Sequence, residues 1–72
     1  MYDTVIAAIK VLNPSQDQWN AMRIAAGLTI HRTGTSTPHR HMIWLRSKAR
    51  RGLGISKQTQ LLHEFVLAAV KS

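Results

Sequence analysis

The chain has 72 residues, ten Lys/Arg against three Asp/Glu, a formal charge of +7 at pH 7, 44% hydrophobic residues and no cysteine. That length allows a single domain, residues 1–72, and excludes a second core. The missing cysteines exclude a disulfide staple, and the hydrophobic content excludes wholesale disorder. No apolar run approaches the roughly 18 residues of a spanning helix, and Asp3 and Thr4 stand where a signal peptide would be basic. A cytoplasmic protein without a membrane partner is expected. A chain this small buries only about 60% of its unfolded surface, so a homodimer is expected as well.

Residues 2–12 have helical spacing, with Tyr2, Val5, Ile9 and Leu12 on one face. The β-branched Thr4, Val5, Ile6 and Val11 keep a strand open, but length and spacing favour a helix. Asn13-Pro14 ends it, because the residue before proline avoids the helical region. Ser15 then caps a second helix, and Gln18 three positions on completes a capping box. Asp17 suits the positive helix end. Trp19, Met22 and Ala26 share a face, with Trp19 a core residue and Gly27 a C-cap.

Residues 28–37 are the least regular stretch. Thr33-Gly34-Thr35-Ser36-Thr37 is turn chemistry, and Thr37 caps a helix that Pro38 opens. In residues 38–51, Pro38, Met42, Leu45 and Ala49 cluster on one side. Arg40, Trp44, Ser47 and Arg51 cluster opposite, flanked by Ile43 and Arg50. Gly52-Leu53-Gly54 breaks that helix. Ser56 caps the last, which runs to about Lys71 with Leu61, Leu62, Phe65, Ala68 and Ala69 as its apolar face. Leu67 and Val70 fall outside that face, either as scattered surface apolars or as a dimer contact. The expected fold class is all-α, a small bundle of four to five short helices of helix-turn-helix type.

Charge is concentrated. Residues 31–51 hold six of the ten Arg/Lys, three of the four histidines and no carboxylate. An uncompensated block of cations threaded with Met42, Ile43, Trp44 and Leu45 points to a polyanionic partner. Catalysis has little to work with: three scattered carboxylates, no thiol and no context for a Ser/His triad. No catalytic residue and no cofactor is expected. His39 and His41 are two apart and point in nearly opposite directions on a helix, so no metal site is expected there. Phosphate contact or a helix-surface position suits them better. Trp44 is suited to stack on a base or sugar, to enter a partner's pocket, or to close the edge of the core.

From Ser15 onward the chain resembles the Cro/repressor class of helix-turn-helix DNA-binding proteins. Arg23-Ile24-Ala25-Ala26-Gly27-Leu28-Thr29 looks like the end of that family's first helix and the start of its second. Thr33-Gly34-Thr35-Ser36-Thr37-Pro38-His39 looks like its turn entering the recognition helix. Ser47-Lys48-Ala49-Arg50-Arg51, Thr59-Gln60-Leu61-Leu62 and Ala68-Ala69 look like the basic loop and the helix that follows. Ile30, His31 and Arg32 alone stand between the first two motifs, about one turn fewer than the family has, so the scaffold helix is short. A second frame, Leu53-Gly54-Ile55-Ser56-Lys57-Gln58-Thr59, also resembles such a turn, with the final helix as reader. It puts Gln60 and His63 in slots the family buries.

The resemblance and the charge together imply a DNA-binding transcriptional regulator of the phage or mobile-element kind. In the first frame Arg40, Trp44, Ser47 and Arg51 face bases or backbone. Lys48, Arg50 and Arg32 anchor phosphates, and His39 adds a contact. Thr35, Ser36 and Thr37 donate to phosphate at the helix N-terminus. The alternatives are a small phage-encoded protein that docks on an acidic face of a host enzyme, or an RNA-binding protein.

Overall fold

The computed structural model describes residues 2–28 and 36–72. They form four helices in the order α1 (Asp3–Leu12), α2 (Gln16–Ala25), α3 (Pro38–Arg50) and α4 (Lys57–Lys71), with no strand among the described residues. The all-α class and small bundle expected from the sequence are what the chain adopts. The short scaffold helix and the turn at residues 29–35 lie outside the described residues.

Each helix ends for a local chemical reason. Asn13 closes α1 in the left-handed region at φ 45°, its N–H donating to Ile9 O at 2.9 Å; buried Pro14 follows. Ser15, Thr37 and Ser56 cap α2, α3 and α4, each hydroxyl accepting a backbone N–H from Gln18, Arg40 and Thr59, at 3.1, 3.0 and 3.2 Å. The C-termini of α2 and α3 match. Gly27 (φ 84°) and Gly52 (φ 65°) turn the chain left-handed, and Leu28 and Leu53 donate back to Arg23 O and Lys48 O, each at 2.9 Å. This is the Schellman closure, and it places an apolar side chain just past each helix end.

α1 packs mainly on α4, with α2 and α3 closing the remaining sides. Ala8, Ile9, Trp19, Ala26, Leu62 and Val66 form the central cluster. Trp19, Ile9, Leu45, Leu62 and Val66 are fully buried, each worth about 1.5–3 kcal/mol relative to exposure. Ile9 is central as expected, and Ile6 is buried beside it. The Tyr2 hydroxyl donates to Leu53 O at 2.8 Å, tying the start of α1 to the loop after α3.

α4 is rotated from its expected setting. Its buried stripe is Thr59, Leu62, His63 and Val66. Leu61 and Ala68, expected inside, are exposed. Leu67 and Val70, expected outside, are half-buried and pack against the central cluster. The physical reason is that the stripe carries a threonine and a histidine, so hydropathy alone assigns it to the wrong side.

Candidate nucleic-acid interface

α3 turns Leu45 and His41 into the body, and Pro38, Met42 and Ala49 are half-buried beside them. His39, Arg40, Ile43, Trp44, Arg46 and Arg50 are exposed along the helix, and Arg51 at its C-cap is exposed too. One cation-bearing face therefore runs the length of α3. Arg46 belongs to it although the sequence reading did not single it out. Its position between the two expected clusters on the helix was the available signal.

Several expected contacts have different surroundings. Ser36 is held by the body: its carbonyl accepts from Gln16 Nε2 at 2.7 Å and its hydroxyl from Trp19 Nε1 at 3.2 Å. Thr37 accepts the Arg40 N–H as the cap. Ser47 and Lys48 are half-buried. Lys48 Nζ lies 5.2 Å from the Trp44 ring centroid, a cation–π contact that holds the amine over the indole. Arg32 and Thr35 lie outside the described residues.

His41 departs most from expectation. It is no helix-surface residue; it is buried, and its Nε2 lies 2.8 Å from His63 Nε2. One Nε2 must carry hydrogen and donate while the other is bare and accepts, so the accepting ring is neutral, and with neither ring charged the two hold opposite tautomers. The surroundings enforce neutrality. Burial, then His63, then Arg23 push His41 down from 6.5 to about 4, and burial lowers His63. His39, two residues away, is exposed on the other side. Among the described residues no group of three or more His, Cys, Asp or Glu could hold a metal ion.

His41 also links surface to core. Its ring lies 5.1 Å from Trp19 and 5.2 Å from Trp44, tilted at 58° and 36°. Trp44, 40% exposed, thus sits at the edge of the body, against His41 and under the Lys48 amine. Beside it opens a cleft of about 360 Å³ lined by Arg23, Ser36, Arg40, Trp44 and their neighbours. Arg23 is buried in its wall. Nothing in the sequence around Arg23 announces that burial. A second cleft of about 400 Å³ lies between α1 and α3, where Ile6, Ile43 and Ala49 meet Asp3, Arg46 and Arg50.

Comparison with protein-family models, with curated proteins and with solved structures finds no match. Among the described residues no helix is long and apolar enough to cross a membrane.

Proposed function

We propose that this chain is a nucleic-acid-binding protein, a DNA-binding regulator of the phage or mobile-element type that lays α3 in the major groove of duplex DNA. The observation that carries the reading is the exposed face of α3, with His39, Arg40, Arg46, Arg50 and Arg51 outward and no acid on the helix. Thirteen residues make a rod about 20 Å long, suited to a groove about 12 Å wide. The order α2, residues 29–35, α3 is that of the helix-turn-helix likeness, with α3 as reader. Arg40 and Arg51 take base edges or backbone, Trp44 a base or sugar, and Arg46, Arg50 and His39 phosphates. Lys48 contributes through its hold on Trp44. A homodimer belongs to the reading, although through Leu67 and Val70 it has only their outer edges to use.

Titration of labelled duplex DNA, single-stranded DNA and RNA at two salt concentrations tests this. With about five phosphates neutralised, log K should fall against log salt with a slope of about −4 to −5 for the duplex. Arg50→Ala should weaken all sequences alike, whereas Arg40→Ala or Arg51→Ala should alter sequence preference. Affinity indifferent to salt, or a preference for RNA, would remove duplex DNA as the partner.

A second reading has its own observation. Ile43 is 51% exposed among the cations and borders the α1–α3 cleft, which suits a protein partner with an acidic face around an apolar centre. Ile43→Ala should leave DNA affinity nearly unchanged and should weaken a protein complex recovered by pull-down from bacterial lysate.

A further inference from the structure

Arg23 sits on the inner face of α2, 8% exposed. An arginine with so little exposed surface ordinarily faces a carboxylate unless its guanidinium reaches an opening, because an uncompensated buried charge is costly. The chain has three Asp/Glu residues, Asp3, Asp17 and Glu64, and all are exposed. Residues 29–35 contain no acid in their sequence. Among the described residues the Arg23 side chain makes neither a hydrogen bond nor an ion pair. Yet no side-chain nitrogen there is both fully buried and unpartnered. The guanidinium nitrogens therefore reach the cleft whose wall Arg23 forms.

The rest of that cleft has complementary chemistry. Arg40 from α3 lines it too, so two arginines border one space with no acid among its described lining residues. Arginine forks match the oxygens of a phosphate in pairs. Trp44 forms another wall, with the His41 ring 5.2 Å away and the Lys48 amine 5.2 Å from its centroid, and a planar ring can stack on it where that amine swings aside. Arg23 lies near enough to His41 to help depress its pKa, so the positive charge at this site rests with the arginines. A volume of about 360 Å³ falls at the small end of ordinary ligand sites, about 300–1,000 Å³.

We propose that this cleft between α2 and α3 binds a nucleotide, its phosphate between Arg23 and Arg40 and its base on Trp44. The site goes beyond duplex contact by α3, since it needs no groove. The nucleotide is either free or the phosphorylated end of a strand, and the chemistry recognised is the same.

The test titrates the full chain with AMP, adenosine and inorganic phosphate, followed by tryptophan fluorescence and by the arginine Nε–H signals in NMR. AMP should shift the Arg23 and Trp44 signals saturably, and adenosine or phosphate alone should bind more weakly. Arg23→Gln should weaken AMP about 10- to 100-fold. Because that variant disturbs a buried position, Trp44→Ala and Arg40→Ala, both at exposed positions, provide the independent check. Each should weaken AMP about 10-fold with helix content unchanged.

A short single strand bearing a 5′-phosphate, compared with its unphosphorylated form, distinguishes the sources. Phosphate-dependent gain over AMP indicates a strand end, and no gain indicates the free nucleotide. Absence of saturable AMP binding, or AMP affinity unchanged in both exposed-site variants, overturns the proposal. Failure here with duplex binding intact leaves the groove reading standing, and AMP binding without duplex binding does the reverse.

Discussion

Two imidazoles meet at 2.8 Å in the interior, His41 from α3 and His63 from α4. Both have pKa values below the ordinary 6.5, His41 at about 4. A folded-state pKa below the unfolded one means that the unfolded chain binds protons more readily between the two values. Stability from this pair is therefore complete above about pH 6.5 and is lost as pH falls toward 4. For His41 the loss is on the order of 3 kcal/mol, a large share of what so small a domain has in hand. Thermal melts between pH 7.5 and 4 should show the midpoint falling through this window. His41→Gln, which keeps a hydrogen-bonding partner for His63 but does not titrate, should flatten most of the profile. An identical decline in that variant would place the acid sensitivity elsewhere. At the same scale, the cation–π contact of Lys48 explains why Arg46 rather than Lys48 is assigned to phosphate.

The helices are held by their ends as much as by their faces. Gly52 closes α3 at φ 65°, and a Cβ there would meet nothing within 4 Å. The cost of Gly52→Ala is thus conformational, about 1 kcal/mol. Gly54, equally open and without a positive φ, should accept alanine with little change. Urea unfolding of the two variants checks this; equal stability would mean that the left-handed closure contributes nothing. These ends were legible from sequence because Ser15, Thr37, Ser56, Gly27 and Gly52 act on residues three to five positions away. The setting of α4 was not legible. Its stripe at Thr59, Leu62, His63 and Val66 mixes polar and apolar residues. Leu61 and Phe65 suggested a neighbouring stripe instead.

Taken as a whole, the molecule places its excess charge on one side. The exposed cations of α3 repel one another, and of the three Asp/Glu residues, all on other helices, Asp3 alone lines the α1–α3 cleft with Arg46 and Arg50. Self-repulsion of this kind destabilises the compact state and is screened by salt, with a Debye length of about 10 Å at 0.1 M. Without a partner, the melting temperature at pH 7.5 should rise as sodium chloride is increased. A fall would mean that attractive ion pairs outweigh the repulsion.

The site divides along the same physical line. The cations of residues 31–51, the breaks at Asn13-Pro14 and Gly52 and the cap at Thr37 were determined by the sequence itself, because charge is a matter of composition and capping bonds close within a few residues. Tertiary structure decided that Arg23 is buried at a cleft, that His41 meets His63 across 22 positions of chain, and which side of α4 faces inward. Burial is set by neighbours distant along the chain, and no local pattern encodes which of them will arrive.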